Sequence, residues 1–541
     1  MVVSLLAAGV EVVFGLPGVH NLALWQALAR SGIRLVTVRH EQTAAYAADG
    51  YARATGRVGV ALTTTGPGAA NTLGAVGEAW ASRSPVVVVA TDIPSTLRRP
   101  GVYGGALHEM TDQASLFEPL TKRVIEVPRA AMAGEALTAA IAQALEPPSR
   151  PVYLQVPTDF LSARIESGDA VEATGPYIGL SEPDSDELDS AVGLIEHSRR
   201  PLVWAGGGAV SSGAADAVAR LAAKLVAPIF TTYQSRGLVG REHPCAVGLP
   251  PHVPEAGRLW DDADLVVAIG SDLDAMMTQS WRMPRPENLV AVNVDPVDAS
   301  KNYAPDVVVV ADARIATSAI AERVGQRPGL DELAHRLADI RLRVREGLLA
   351  DDPQAVGFLS AFDAAVPSEA VVVADMCIPG YWLAAFHPVP APRKLAYPVG
   401  WGTLGFAFPA AIGSALAVGG PVVSVSGDGG FLFACGELAT VVQERVPLTA
   451  VIVDDGGYGM LRYDQKNAGH QVFGVDLVRP DFVALAEAFG LRAEKVEGLG
   501  RDFEHALRAA IETPGPSVVV ASAALDPPPT TSPRWYRARS A

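Results

Sequence analysis

The sequence predicts an α/β protein of three doubly wound parallel-sheet domains, the first and third related by pseudo-duplication. Three observations predict it. Short β-branched runs alternate with Ala-rich amphipathic stretches along almost the whole chain, the pattern of strands joined by crossover helices. Polar breaks divide 541 residues, too many for one core, into three blocks. Two distant segments also share one rhythm of strand, glycine turn, helix, proline and strand.

The first block, 1–165, ends in a strand at 152–156 before Pro157. An acidic stretch follows at 166–188, with Gly175-Pro176 and Glu182-Pro183-Asp184, and reads as a linker. The central block, 185–328, opens with a strand at 201–205 and the turn Gly206-Gly207-Gly208, and carries a further strand near 289–295. The third block, 355–541, closes with Pro527-Pro528-Pro529 and the basic residues Arg534, Arg537 and Arg539, a flap or a frayed tail. In the first block a strand at 60–65 meets Gly66-Pro67-Gly68, and Pro85 opens a strand ending at Asp92. In the third, a strand at 422–426 meets Gly427-Asp428-Gly429, and Pro447 opens a strand ending at Asp454. Glycine and proline lie 19 residues apart in one and 20 in the other, which suggests a pseudo-symmetric pair with one site between its members.

Composition excludes several classes. The longest clean apolar run, 85–90, is far shorter than the roughly 20 residues of a membrane span. The first residues lack a basic start and a cleavage pattern, so no secretory signal is expected. A net charge of −16 without a basic stripe argues against nucleic acid. Cys245, Cys377 and Cys435 lie far apart without metal spacing, which fits a reducing cytoplasm.

The most informative spacing lies in the third block. After Gly427-Asp428-Gly429 come 24 residues, an expected helix of about four turns and a second strand, and then Asp454-Asp455-Gly456-Gly457. Open glycines let backbone N–H groups approach a phosphate. A carboxylate there repels phosphate unless a hard cation stands between them, and Mg2+ prefers such oxygens. In isolation Asp428 reads as a helix cap; with the second acidic cluster it reads as a metal–diphosphate site at the carboxyl edge of a parallel sheet.

This motif resembles the thiamine-diphosphate (ThDP) binding motif, and the whole chain resembles the acetolactate synthase, benzoylformate decarboxylase and pyruvate decarboxylase superfamily, most of all acetolactate synthase large subunits. The family's paired asparagine is Asp454-Asp455 here. The resemblance implies pyrimidine-binding, central and diphosphate-binding domains, in that order. It implies a cofactor set of Glu41, Gly402, Leu404, Gly427, Asp428, Gly429, Gly430, Asp455, Gly457, Tyr458, Gly459 and Met460, with Asp428, Asp455 and Gly457 holding Mg2+. Glu41, otherwise an ordinary charge at a helix start, would hydrogen-bond N1′ of the aminopyrimidine and favour the tautomer that deprotonates the thiazolium. Leu404 would wedge the cofactor bent, and the Gly402 carbonyl would accept from its 4′-amino group.

On the substrate side, the stretch from Phe14 to Asn21 resembles the first active-site loop, with Val19 where decarboxylases often place a proton-transfer group and His20 beside it. His108 and Gln113 fall where acetolactate synthases carry a substrate-facing Phe-Gln pair, read here as Leu107-His108. Asp464 stands where those enzymes carry a tryptophan that selects the second 2-oxo acid. Gly270-Ser271-Asp272-Leu273-Asp274 replaces their Arg-containing flavin contact, which disfavours FAD and leaves the central block a spacer.

The implied reaction is decarboxylation of a 2-oxo acid and carboligation to a second carbonyl compound. The alternatives are a non-ligating decarboxylase and a catalytically silent ThDP-binding scaffold subunit. A Rossmann nucleotide binder lacks its clean Gly-x-Gly-x-x-Gly. The expected active unit is a homo-oligomer, Glu41 of one chain facing Asp428 of another.

Overall fold

Runs of valine and isoleucine become strands wherever helices cover both faces, and this computed structural model, which describes residues 1–99, 101–165 and 179–531, contains three such sheets. The first holds β1 (Val12–Gly15), β2 (Arg34–Thr37), β3 (Gly59–Thr63), β4 (Val86–Asp92), β5 (Arg123–Glu126) and β6 (Val152–Pro157), in the order β2-β1-β3-β4-β6-β5. The central sheet holds β7 (Pro201–Ala205), β8 (Ile229–Thr231), β9 (Leu265–Ile269), β10 (Asn288–Asn293) and β11 (Val307–Val310), in the order β11-β10-β9-β7-β8. The third holds β12 (Val371–Ala374), β13 (Leu395–Ala396), β14 (Val422–Gly427), β15 (Leu448–Asp454), β16 (Arg492–Glu497) and β17 (Ser517–Ser522), in the order β13-β12-β14-β15-β17-β16. Every named pairing is parallel. The first and third sheets therefore have one topology, as the repeated rhythm predicts.

The two outer sheets join through equivalent helices, Glu41–Thr55 and Ala407–Ala417, each lying between the second and third strand of its own sheet. Their faces are alanine and glycine, so the backbones approach closely. A Cβ at Gly50 would stand 1.9 Å from the Ala410 carbonyl oxygen, and one at Gly413 would stand 1.8 Å from that of Ala47. Ser414 Oγ closes the seam by donating to the Gly50 carbonyl at 3.0 Å. Beside it the half-buried Arg53 bridges Asp49 (2.7 Å) and Glu78 (2.9 Å). Burial alone would lower that guanidinium; the two carboxylates raise it instead.

The central sheet closes its own core around Trp204, Phe230 and Trp260. Arg83 ties it to the first domain through Asp272 (2.8 Å) and Asp298 (2.6 Å), and Lys301 bonds the same two carboxylates. The turn at Gly206 is a packing device, because a Cβ there would meet the Gly270 carbonyl oxygen at 2.3 Å.

Two sequence expectations need correction. The linker does not reach residue 188: the helix Ser185–His197 starts inside it, because Asp184 accepts from the Asp186 and Glu187 amides as its N-cap. The continuous four-turn helix after Asp428 is instead Asp428–Phe431, a 3-10 turn Cys435–Glu437 and a helix Leu438–Gln443. Gly429, Gly430 and Gly436 lower the propensity of that stretch. Gly175-Pro176 and the basic tail residues Arg534, Arg537 and Arg539 lie outside the described residues. Among the described residues no helix is long and apolar enough to cross a membrane, and the three cysteines are unpaired thiols.

Candidate active site

The carboxyl ends of β14 and β15 deliver the two acids side by side. Asp428 opens its short helix fully buried, and its Oδ1 accepts the Gly429 amide at 2.9 Å. Its Oδ2 has no partner, although it too is buried. Burial, and then the neighbouring Asp455, push this carboxyl up to about 7. Asp455 is also raised, by burial first, while Arg462 opposes the shift. Its Oδ1 accepts the Gly457 amide at 3.2 Å, and its Oδ2 fills the space above Gly459, where a Cβ would stand 2.0 Å away. Gly457, at φ +147°, presses the backbone so close to Val475 that a Cβ would meet the Val475 carbonyl oxygen at 2.1 Å.

An orphaned buried carboxylate oxygen next to a second carboxylate fits a hard divalent cation, which would offset the burial and the neighbouring charge that raise Asp428. Among the described residues no group of three His, Cys, Asp or Glu side chains is placed to hold an ion. A cation at Asp428 and Asp455 would complete its shell from backbone carbonyls, ligand oxygens or water, as Mg2+ does.

Beside these acids opens a cleft of about 690 Å3. Its floor is Gly427, Gly429 and Gly430; its roof is Tyr458, Gly459, Met460 and Leu461; Leu404 projects into it. Gly429 has no side chain because the Tyr458 ring occupies that space, 2.7 Å from an ideal Cβ. Gly402, at φ +75°, turns the loop two residues before Leu404 and is not itself a wall. The loop is anchored by Asp375, which sequence reasoning missed. Buried at the end of β12, its carboxylate accepts the Met376 amide (2.9 Å) and the Gly405 amide (3.1 Å). Burial pushes Asp375 up to about 6 against those amide bonds.

Among the described residues, no first-domain residue lines this cleft. Glu41 begins its helix almost buried, and its Oε2 accepts from Asn71 Nδ2 at 3.0 Å. Its Oε1 lies 3.4 Å from where a Gly68 side chain would start. The preceding backbone is held by the third domain: Glu437, buried, accepts the Arg39 and His40 amides at 3.0 Å. His20 and His108 meet edge to face, ring centroids 5.4 Å apart, with both Nδ1 atoms unpartnered. Burial, with His108 adding, lowers the His20 imidazole. Gln113 is buried in the first domain. Its amide is spent inside the domain, accepting from Gly66 N (2.5 Å) and donating to the Thr91 carbonyl (2.9 Å) and Tyr153 Oη (2.7 Å). Asn71 and Glu437 escaped the sequence reading, since neither belongs to a spaced motif. Asp375, the acid that ends the apolar run 371–374, was a signal that went unused.

A three-sheet α/β chain with paired acids at a glycine-floored cleft defines a diphosphate-cofactor enzyme. Residues 1–116, 188–320 and 376–521 match the N-terminal TPP binding, central and C-terminal TPP binding domains of the thiamine pyrophosphate enzymes. The chain is 34% identical to the probable 2-ketoarginine decarboxylase AruI of Pseudomonas aeruginosa, over 94% of this chain and 91% of that protein. It is 31% identical to a probable acetolactate synthase large subunit of Methanocaldococcus jannaschii, over 91% of this chain and 86% of that one. It is 28% identical to the acetolactate synthase of Bacillus subtilis, over 95% and 91%. The chain belongs to the thiamine pyrophosphate enzymes, as a ThDP-dependent enzyme of the carboligase and decarboxylase class.

Proposed function

We propose that the protein decarboxylates a 2-oxo acid and joins the remaining acyl unit to a second carbonyl compound, as acetolactate synthases are named for doing. The observation that carries the reading is the unpartnered, buried Asp428 Oδ2 beside Asp455 at the end of a cleft walled by Leu404 and Met460. When bound, ThDP supplies a carbanion and an electron sink for the departing carboxylate. Asp428, Asp455 and the Gly457 carbonyl would hold Mg2+, and the backbone around Gly427, Gly429 and Gly430 the diphosphate. Tyr458, Gly459, Met460 and Leu404 would wall the cofactor, and the Gly402 carbonyl would accept from its 4′-amino group. Glu41 holds a proton at the pyrimidine edge, and His20 and His108 move protons at the substrate. Gln113 positions the Gly66 loop from inside. The apolar walls exclude water.

The blocks 1–165, 185–328 and 355–541 are the pyrimidine-binding, central and diphosphate-binding domains of this reading. The active unit is a homodimer or homotetramer, cytoplasmic, free of nucleic acid. Support comes from the separation of Glu41 from its own chain's cleft wall, and from exposed apolar side chains around both half-sites: Val19, Tyr103 and Leu107 on one, Trp401, Phe433 and Phe473 on the other. The central block acts as a spacer without FAD, its Asp272 engaged by Arg83 and Lys301. Non-ligating decarboxylation is the second reading, favoured by Asp464 where the acceptor-selecting tryptophan is expected and by the 2-ketoarginine decarboxylase among the relatives. A silent scaffold fits poorly with Glu41 in its pocket.

Product analysis decides. Protein reconstituted with ThDP and Mg2+ should convert pyruvate to acetolactate. Acetaldehyde alone selects the second reading, and no product from any 2-oxo acid refutes both. Mass spectrometry of gently denatured protein should release ThDP and no FAD.

A further inference from the structure

A second cavity, of about 960 Å3, opens where the central domain meets the third. Among the described residues it shares none with the cofactor cleft. Its walls come from β8, from the long connecting helix Leu330–Asp351, from the next helix Pro353–Ala365 and from the end of the helix Ile378–Phe386. Neither Gly206-Gly207-Gly208 nor the stretch 270–274 lines it, so it is separate from the glycine turn and the flavin-contact stretch of the central block.

Charge sets this cavity apart. In a chain of net charge −16, four arginines line it: Arg236, Arg241, Arg341 and Arg345. None forms an ion pair among the described residues. Arg236 is buried and donates to the carbonyls of Ala384 (3.0 Å), Ala385 (2.6 Å) and His387, at the C-terminus of the helix Ile378–Phe386. Arg341 donates to the Ala246 carbonyl at 2.7 Å, and Arg345 reaches Ser360 Oγ only at 3.5 Å. These partners are neutral and leave the charges uncompensated. The one carboxylate lining the cavity, Asp363, is hydrogen-bonded to His387 Nδ1 at 2.6 Å. Burial lowers Arg236 to about 10, with Tyr233 and Asp363 opposing the shift and Arg241 adding to it. Burial and Arg241 also lower Arg341, with Glu242 opposing. Like charges therefore act on one another here, and a bound anion would relieve that repulsion.

Most of the remaining wall is apolar, including Val239, Leu249, Val344, Leu348, Leu359 and Phe386. A mostly apolar cavity at a domain junction, with a few convergent charged groups, is built as ligand pockets are. We propose that this cavity is a second ligand site, which takes an organic anion with an aliphatic body, its carboxylate or phosphate head held by the arginines and its body by the apolar wall. Guanidinium groups bind either head through paired hydrogen bonds. A ligand there touches the central domain, the connecting helix and the third domain together, and so fastens their docking.

Calorimetry on protein loaded with ThDP and Mg2+ tests this with octanoate, octyl phosphate, neutral 1-octanol and inorganic phosphate as probes. Octanoate, octyl phosphate or both should bind, and the tighter of the two identifies the head group. Octanol, which lacks the head, and inorganic phosphate, which lacks the body, should each bind at least about 10-fold more weakly. Arg345→Glu and Arg241→Glu, at exposed positions, should weaken binding by about 10- to 100-fold. Arg343→Glu, exposed on the same helix as Arg345 but outside the cavity, should leave it unchanged. Bound amphiphile should also raise the melting temperature in step with its concentration. The proposal is overturned if neither amphiphile binds, if octanol binds as tightly as they do, or if binding survives both charge reversals. Binding seen only in protein stripped of ThDP would place the probe in the cofactor cleft and overturn it as well.

Discussion

The first and third domains are one architecture put to two uses. Strand order, crossover helices and glycine turns correspond, yet the turn after β3 reads Gly66-Pro67-Gly68 and the turn after β14 reads Gly427-Asp428-Gly429. At the first turn the Gly66 amide is satisfied inside the domain by Gln113, and Pro67 brings neither charge nor N–H. At the second, Asp428 is buried with an oxygen left over. The strand-end acids diverge in the same way. Asp92 is paired with Arg98 and capped by its own loop, whereas Asp454 turns out to Arg479 and leaves Asp455 facing Asp428. One substitution per loop separates a packing turn from a buried carboxylate with an unpartnered oxygen, so two loops on one sheet plan present different chemistry.

The sharpest way to break this comparison is Glu41→Gln. The change is isosteric, and an amide can keep the Asn71 contact. Activity should fall by about 10²- to 10⁴-fold if the first domain contributes only proton chemistry, while ThDP affinity by calorimetry stays within about threefold. Equal losses of both would show Glu41 to be a binding group. Next comes Asp428→Asn. Mg2+-dependent ThDP affinity should drop by about 10- to 100-fold, whereas Pro67→Ala in the matching turn should leave it unchanged. EDTA should abolish activity, and Mg2+ with ThDP should restore it.

A smaller effect tests the seam. Gly413→Ala should destabilise the fold by about 3 kcal/mol or more, read from denaturant midpoints, because the added methyl meets backbone instead of a yielding side chain. Gly193→Ala, in an open helix with nothing within 4 Å, should instead stabilise by about 0.5–1 kcal/mol.

The smallest effect is a pH slope. A carboxyl whose folded pKa exceeds its unfolded value binds its proton more tightly in the native state. For Asp428, raised from 3.8 to about 7 without a cation, that contribution is fully present below pH 3.8 and is lost as pH rises through about 7. Melting of the metal-free protein between pH 5 and 8 should therefore fall less steeply in Asp428→Asn than in the wild type. Mg2+ with ThDP should flatten the wild-type curve as well, since a bound cation lowers the carboxyl. Parallel slopes in variant and wild type would mean that Asp428 is not the group responsible.

Much of this was legible in the residues. Strand ends at Gly427, Asp454 and Asp92 carry local signals: apolar runs stopped by glycine, acid or proline. Asp428 and Asp455 were found because their chemistry repeats at a fixed spacing. Glu41 was not readable from its surroundings and rested on family resemblance, since a glutamate at a helix start is commonplace. Contacts made across domains left no trace in the chain order. Nothing near Glu437 announces that it holds the Arg39 and His40 amides, and nothing near Gln113 announces the four polar neighbours that close around its amide. The broken helix after Asp428 was misjudged because spacing records length and not continuity.

The Gly50–Gly413 seam has a consequence for how such a chain can change. Neither helix tolerates even one added carbon where it meets the other's backbone. The outer domains are locked at a fixed distance, like two plates on a common rivet. Change is left to the loops at the sheet edges, which the contacts between these two helices do not constrain.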